Sequence, residues 1–359
     1  MSGRRRRYAI LAPGEFAGRA AKTAHGVIAY GNDAVVAVID PDHAGKRVHD
    51  VVPFLDCAAP VVADLPAALD FAPDALLIGV APAGGALPSG WRAAVAQALE
   101  AGLEVVSGLH HILADDAEFA EAARRGNARI WDVRLPPDVP LFSGDAYAVE
   151  ARVVLTVGTD CAVGKMTAAL ELTRAALIAG ESARFVATGQ TGIMIAGSGI
   201  AVDRVIADFA AGAAEQLVVE HAAGADLLFV EGQGGINNPA YAPVTLALLF
   251  GAAPDALVLV HRAGRTAVDA LNTPLLGYRP AVRAYEALCA TVKPARVAGI
   301  ALNTGALNES AARAEIARAE EQTGLPVDDV VRFGPDRLYA AMAPAFARKR
   351  SPLAEPAPR

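Results

Sequence analysis

Short apolar runs alternate with alanine-rich stretches of helical length along the chain, and that alternation confines it to a parallel α/β architecture. In the first part the runs are "YAILAP" (8–13), "AVVAVID" (34–40), "DALLIGV" (74–80), "LEVVSG" (103–108) and "ARIWDVR" (128–134). Stretches such as "WRAAVAQALEAG" read as the helices between them. "LPPDVPLFSGDAY" (135–147), rich in proline, reads as a linker. The pattern then restarts with "ARVVLTVG" (151–158), "SARFVATG" (182–189), "DLLFVEG" (226–232), "DALVLVH" (255–261) and "RVAGIALNT" (296–304). Helices are expected after the first of these, around 202–223 and around 281–291. The expected fold is two parallel-sheet, three-layer α/β domains. A Rossmann-like domain spans 1–145 with its linker, a P-loop NTPase-like domain spans 146–345, and 346–359 is expected to be a disordered tail.

A chain of 359 residues, 53% hydrophobic, can bury two sizeable cores. Aromatic residues are 6%, so those cores must be built from Ala, Val, Leu and Ile. The net charge of -7 and the lack of a basic face beyond Arg4–Arg7 argue against a nucleic-acid partner. Cys57, Cys161 and Cys289 stand far apart with no CxxC, which fits a reducing cytoplasm and neither a disulfide framework nor a zinc site. No stretch reaches the roughly 18 uninterrupted apolar residues of a membrane span. "LALLFGAAPDALVLV" is broken by Pro254 and Asp255. A cytoplasmic protein with no membrane partner is expected, and its alanine-rich helices are compatible with a homo-oligomer.

The segment "VGTDCAVGKMT" (157–167) carries the chemistry. A strand, a glycine turn and a helix place backbone N–H groups and a helix N-terminus around an anion. The chain has five lysines, and every other one of its 32 basic residues is arginine. One of the five is Lys165, a compact charge that a glycine cradle accepts where a planar guanidinium would not fit. Gly158, Thr159, Asp160, Gly164, Lys165, Met166 and Thr167 are therefore candidate contacts to a phosphate-bearing ligand. Met166 follows the lysine, where P-loop NTPases place the hydroxyl that holds magnesium. A thioether is a poor magnesium ligand. Thr167 lies about 100° further round the helix and does not substitute for it. No metal ligand set is expected, and a need for magnesium is left open. The turn after the first strand, "APGEFAGRAAK", lacks G-x-G-x-x-G, although Asp40 ends the second strand where a ribose-binding acid would sit.

Five residues, Thr159–Val163, separate the first glycine from Gly-Lys, one more than in the usual P-loop. This longer form resembles the dethiobiotin synthetase branch, as does "DLLFVEGQGG" (226–235), which sets Glu231 at a strand end. Taken with "FVATGQTGIMIAGSGIAVDRVIADFAAGAAEQLV" (185–218), "VEGQGGINNPAY" and "GIALNT", the chain resembles the family that includes the D-glutamate N-acetyltransferases. Many members carry a serine and a histidine where this chain has Gly235 and Asn238. The resemblance covers essentially the whole chain. It implies acetyl transfer from acetyl-CoA, as co-substrate, to the amino group of D-glutamate or a related D-amino acid, in D-amino acid catabolism.

Such a reaction needs a base, because an α-ammonium must lose a proton before it attacks a thioester. Asp203, Asp208 and Glu231 are the candidates. Asp203 and Glu231 are preferred, with a first-turn helix acid as the alternative for Asp203. The oxyanion needs donors, and the glycine N–H groups of "TGQTG" (188–192), Gln190 and Thr191 could supply them. Carboxylates of the acceptor need cations, for which Arg204, Arg265 and His261 are candidates. His261 could instead shuttle a proton or be a structural histidine. Asn303 and Thr304, at a strand end, are candidates for contact with adenine. Cys161 is a weaker candidate for an acyl-accepting nucleophile.

An ATP-dependent ligase or kinase of the dethiobiotin synthetase type is the alternative, in which Lys165, Asp160 and Glu231 would handle phosphate and metal. Met166 stands against it. A non-enzymatic nucleotide-sensing protein is the third reading.

Overall fold

The computed structural model describes residues 5–268 and 271–346. Arg4 and the proline-rich tail beyond 346 lie outside them. The chain divides into two compact units. The first comprises the residues up to Pro136 together with Gln190–Ala201; the second comprises Pro137–Gly189 and the chain from Val202 onward.

The first unit contains β1 (Arg7–Leu11), α1 (Lys22–Tyr30), β2 (Ala34–Ile39), α2 (Val48–Val51), β3 (Val61–Val62), α3 (Leu65–Leu69), β4 (Ala75–Ile78), α4 (Arg92–Glu100), β5 (Glu104–Ser107), α5 (Ala117–Gly126) and β6 (Ile130–Asp132). Every strand pair is parallel and the order is β3-β2-β1-β4-β5-β6, the doubly wound arrangement of a Rossmann sheet. β4 is buried along its whole length. That is why it reads as an unbroken apolar run: a parallel sheet covered on both faces has no solvent side to alternate with. Leu76, Val105, Leu99 and Phe119 belong to one core cluster. Asp40, at the end of β2, is wholly buried. Its Oδ1 accepts the Gly14 N–H at 2.8 Å, and its Oδ2 lies 2.8 Å from His43 Nδ1. Both oxygens are used by the local turns, so the carboxylate ties the loop after β1 to the end of β2.

The second unit begins with β7 (Arg152–Gly158) and α6 (Lys165–Ile178), followed by β8 (Ala183–Val186). Next comes α7 (Gln190–Ala196), which packs within the first unit. The second unit resumes with α8 (Ala207–Ala222), β9 (Leu227–Val230), α9 (Ala242–Gly251), β10 (Ala256–Arg262), α10 (Tyr278–Cys289), β11 (Arg296–Asn303), α11 (Glu309–Thr323), β12 (Val327–Asp328) and α12 (Asp336–Phe346). Its sheet runs β12-β11-β10-β7-β9-β8, again all parallel. β7 lies between β9 and β10, with Gly158 opposite Val260 and Leu155 opposite Val230. Arg262 pairs with Asn303 across β10 and β11. The carboxyl ends of these four strands therefore emerge side by side, where ligands bind in open parallel sheets.

Each run expected as a strand is one, within three residues at either end. The two strands that sequence reading did not anticipate, β3 and β12, are two-residue strands at sheet edges. Such a strand is too short to show any period. "TGQTG", expected to supply oxyanion donors, runs directly into α7, whose first residue is Gln190. In the first unit Thr191 Oγ1 lies 3.0 Å from Thr23 Oγ1 in α1, and Gln190 Oε1 accepts from Arg134 at 2.7 Å.

Within the second unit α8 and α9 meet at small residues. A Cβ on Gly251 would stand 2.1 Å from the Ala211 carbonyl oxygen. Backbone cannot yield as a flexible side chain can. Gly251→Ala is therefore expected to destabilise the protein by about 2 kcal/mol or more through overpacking, measurable as a lower denaturant midpoint at unchanged slope.

Candidate functional site

The site grows from the turn between β7 and α6. To reverse from strand to helix in six residues the chain passes through left-handed backbone at Ala162 (φ 52°) and at Gly164 (φ 113°). Gly164 takes that conformation at the N-terminus of α6 without the Cβ penalty another residue would carry. Lys165 opens the helix and turns its side chain back into the loop. Its Nζ donates to the carbonyl oxygens of Asp160 at 2.8 Å and of Gly234 at 2.7 Å. Burial pulls the ammonium down to about 8, partly offset by the field of nearby acidic groups, so it stays largely charged at neutral pH.

Gly234 belongs to the "EGQGG" loop after β9, which lies against the glycine turn because its glycines allow it. A Cβ on Gly232 would fall 1.7 Å from the Thr156 carbonyl oxygen, and one on Gly235 would fall 2.9 Å from Asp160 Cα. Tyr285 of α10 adds a third tie. Its hydroxyl donates to the Gly158 carbonyl at 2.7 Å and accepts the Ile236 N–H at 3.3 Å.

Glu231 follows β9 and is almost wholly buried (6% exposed). Its Oε2 accepts the backbone N–H groups of Thr188 (3.1 Å) and Gly189 (3.2 Å). Burial is the largest influence on its carboxyl and pushes it up to about 7; the two N–H bonds and Lys165 pull the other way, and Asp203 adds to the rise. These bonds answer the expectation for "TGQTG". Two of its backbone donors grip a carboxylate of the protein itself, and the side chains of Gln190 and Thr191 are engaged inside the first unit. Asp203 and Arg204 are exposed on a short 3-10 turn, Val202–Arg204. Asp203 is near enough to Glu231 to act on it electrostatically.

Asp160 is fully buried and both its oxygens are held. Arg265 Nη2 lies 2.8 Å from Oδ2, and Asn238 Nδ2 donates to Oδ1 at 2.7 Å. Arg265 Nη1 also donates to the Cys161 carbonyl at 2.9 Å. Arg265, anticipated as a cation for the acceptor, is thus bonded to the glycine turn. His261 sits with Nδ1 2.9 Å from Thr159 Oγ1 and meets Tyr278 edge-on. Burial drives its imidazole down to about 4. As a neutral ring it brings no positive charge to a carboxylate. Asn303 reaches the turn through Nδ2, 3.5 Å from the Val163 carbonyl, whereas Thr304 is buried and donates its hydroxyl to Asp329. Met166 and Thr167 stand half-buried in the first turn of α6.

The residues present do not fit the magnesium ion that P-loops usually carry. The position after the lysine offers a thioether, and the loop carboxylate already faces a guanidinium and an amide. Among the described residues no group of three or more His, Cys, Asp and Glu could hold a metal ion. Nor is any helix among them long and apolar enough to cross a membrane.

Sequence reasoning did not single out Tyr285. It reads as one core aromatic of an amphipathic helix, and nothing local marks its hydroxyl. Asn238 was visible only as a departure from the family pattern, not as the partner of Asp160.

Residues 140–339 match a family model described as a domain of unknown function (DUF1611_C) P-loop domain. Residues 41–136 match one described as a domain of unknown function (DUF1611_N) Rossmann-like domain. A protein of Tritonibacter scottomollicae named D-glutamate N-acetyltransferase is 39% identical over 272 residues, covering 75% of this chain and 80% of its own. One of the same name from Pseudoalteromonas sp is 36% identical over 266 residues, covering 74% and 80%. The crystal structure of a DUF1611 family protein from Anabaena variabilis ATCC 29413 is 41% identical, covers 94% of this chain and 99% of that one, and superposes with a TM-score of 0.90.

Glu231 carries a stability signature. An unfolded glutamate ionises near 4.5, the folded one near 7. A raised carboxyl is harmless below the unfolded value, where both states are protonated. It costs stability progressively as pH climbs to 7, and fully above. Glu231→Gln keeps an oxygen for the two backbone donors and removes the charge. It is expected to stabilise the protein by up to about 3 kcal/mol at pH 8 and hardly at all near pH 4.5, read from chemical denaturation at the two pH values.

Proposed function

The chain belongs to the DUF1611 family, and on that premise we propose that it is an N-acetyltransferase that carries acetyl from acetyl-CoA to the amino group of D-glutamate or a related D-amino acid. Proteins named D-glutamate N-acetyltransferase match it over three quarters of its length at 36–39% identity. The observation within the site that carries the reading is Glu231. It is a buried carboxyl at the carboxyl end of a strand, held in place by two backbone donors and pushed up to about 7 by burial. A base of that strength suits proton removal from an ammonium near neutral pH, because catalytic efficiency is greatest when the base titrates close to the working pH.

The proposed step is direct transfer. The ionised Glu231 carboxylate takes a proton from the acceptor's α-ammonium. The freed amine forms a C–N bond to the thioester carbonyl carbon. The tetrahedral intermediate collapses with cleavage of the C–S bond, and the departing coenzyme A thiolate takes up the second proton that the attacking nitrogen gives up as it becomes an amide. The glycine turn and Lys165 bind a phosphate of the coenzyme, with the charge and helix N-terminus such turns present. Arg204, exposed on the turn that carries Asp203, is the cation proposed for an acceptor carboxylate. Nothing in this sequence of events requires a metal, in keeping with a loop whose residues do not fit magnesium. Such a reaction would open the breakdown of a D-amino acid by masking its amine.

Thioester cleavage measured with D-glutamate, with L-glutamate as control, tests the reading. Activity is expected to be unchanged in EDTA. Its kcat/KM is expected to rise with pH through about 7, as Glu231 ionises. Glu231→Gln is expected to lower kcat/KM by about 100-fold or more while the protein stays folded. An enzyme silent until Mg-ATP is supplied would replace the reading with the ligase alternative.

A further inference from the structure

We propose that Arg265 is a built-in cation that takes, in this glycine turn, the place a divalent metal holds in magnesium-dependent P-loops, positioning Asp160 and the Cys161 carbonyl for the phosphate-bearing ligand. The inference rests on the reading of the turn as a coenzyme A cradle and deepens it.

Three observations meet at Arg265. The residue stands just after β10, the strand that pairs with β7, so its turn and the glycine turn emerge side by side. Its guanidinium spans two consecutive loop residues, with Nη2 2.8 Å from Asp160 Oδ2 and Nη1 2.9 Å from the Cys161 carbonyl. The opposite carboxylate oxygen is closed by Asn238. Asn238 Oδ1 accepts the Ala240 N–H at 3.1 Å, which leaves the amide nitrogen to face Asp160 Oδ1 at 2.7 Å. A fully buried carboxylate must be neutralised by something. In a magnesium loop the ion can do so. Here the fixed charge of arginine does, in a fork geometry that a point charge cannot reproduce. Met166 completes the substitution, because the hydroxyl that would steady a metal is missing at the same turn.

The chain would then trade a dissociable cation for a covalent one. Arg265 acts through Asp160 and the loop backbone, so it is a positioning residue.

The test uses the full-length protein and its Arg265→Ala variant. Acetyl-CoA is titrated by calorimetry in EDTA and in magnesium. Separately, Mn2+ alone is titrated, with the free ion read by electron paramagnetic resonance. The wild type is expected to bind acetyl-CoA equally in both buffers and to take up no Mn2+ stoichiometrically. Arg265→Ala is expected to lose about tenfold in acetyl-CoA affinity in EDTA, to take up one Mn2+ per chain, and to recover affinity with magnesium. Mere structural damage would lower affinity without creating a metal response. Arg265→Gln keeps a hydrogen bond to Asp160 while losing the charge. It is expected to show the same metal response and decides the matter where the alanine variant does not fold. A folded variant with wild-type affinity in EDTA, a folded variant that takes up no metal, or a wild type that requires magnesium overturns the inference. A wild type that binds no acetyl-CoA in either buffer sinks the cradle reading, and the Mn2+ titration then decides the role of Arg265 by itself.

Discussion

The Lys165 ammonium is the stitch on which the site depends. Its Nζ joins the carbonyl of Asp160, in the turn after β7, to that of Gly234, in the loop after β9. The enclosed ammonium (6% exposed) holds two loops from adjacent strands at a fixed distance. The rest of the local sequence is shaped by that closeness. Gly232 and Gly235 are glycines because backbone from the neighbouring loop fills the space of a Cβ. Tyr285 closes the same gap from α10, bonding Gly158 and Ile236 together. A lysine able to donate several hydrogen bonds suits this post, whereas a rigid guanidinium would splay the loops apart.

The same closeness creates the electrostatics. Lys165 and Glu231 are both deprived of water, which pushes the ammonium down toward 8 and the carboxyl up toward 7. Each charge favours the other, so the two protons are lost as a coupled pair rather than independently. Near neutral pH the carboxylate of Glu231 and the ammonium of Lys165 therefore support one another's charge. The strand ends thus hold two groups that titrate around neutrality, and such groups cluster where chemistry is done.

Much of this was legible in the sequence. Two parallel domains follow from the alternation of apolar runs and alanine-rich helices, because a parallel sheet buried on both faces leaves that imprint. The glycine turn with its inward lysine follows from five residues between Gly158 and Gly164–Lys165 and from a lysine in an arginine-rich chain. Glu231 follows from an acid at the end of an apolar strand, where burial without a purpose is costly. What stayed hidden depends on partners distant in sequence. Nothing near Arg265 announces Asp160, which is 105 positions away by numbering, and nothing near Tyr285 announces Gly158. β3 and β12 exist because neighbouring strands offer edges, not because two residues carry a pattern. The placement of α7 in the first unit is of the same kind. Its apolar stretch is plain in the sequence, but which core receives it is a fact of tertiary packing.

Asn238 shows how the parts constrain one another, because its amide donates to Asp160. A histidine there could donate only from a protonated nitrogen, so the clasp on Asp160 would depend on tautomer or pH. Asparagine donates at every pH. Arg265 Nη2 lies 2.8 Å from the other oxygen. His261, one residue layer away on Thr159, is already neutral well above its lowered value of about 4. The glycine turn is thus held from two sides, by the clasp of Arg265 and Asn238 on Asp160 and by the Lys165 ammonium, and Lys165 is the member that burial pulls toward neutrality. Burial pushes Glu231 the other way, so a change in pH acts on the lysine stitch and on the carboxyl together, while the amide of Asn238 keeps its donor.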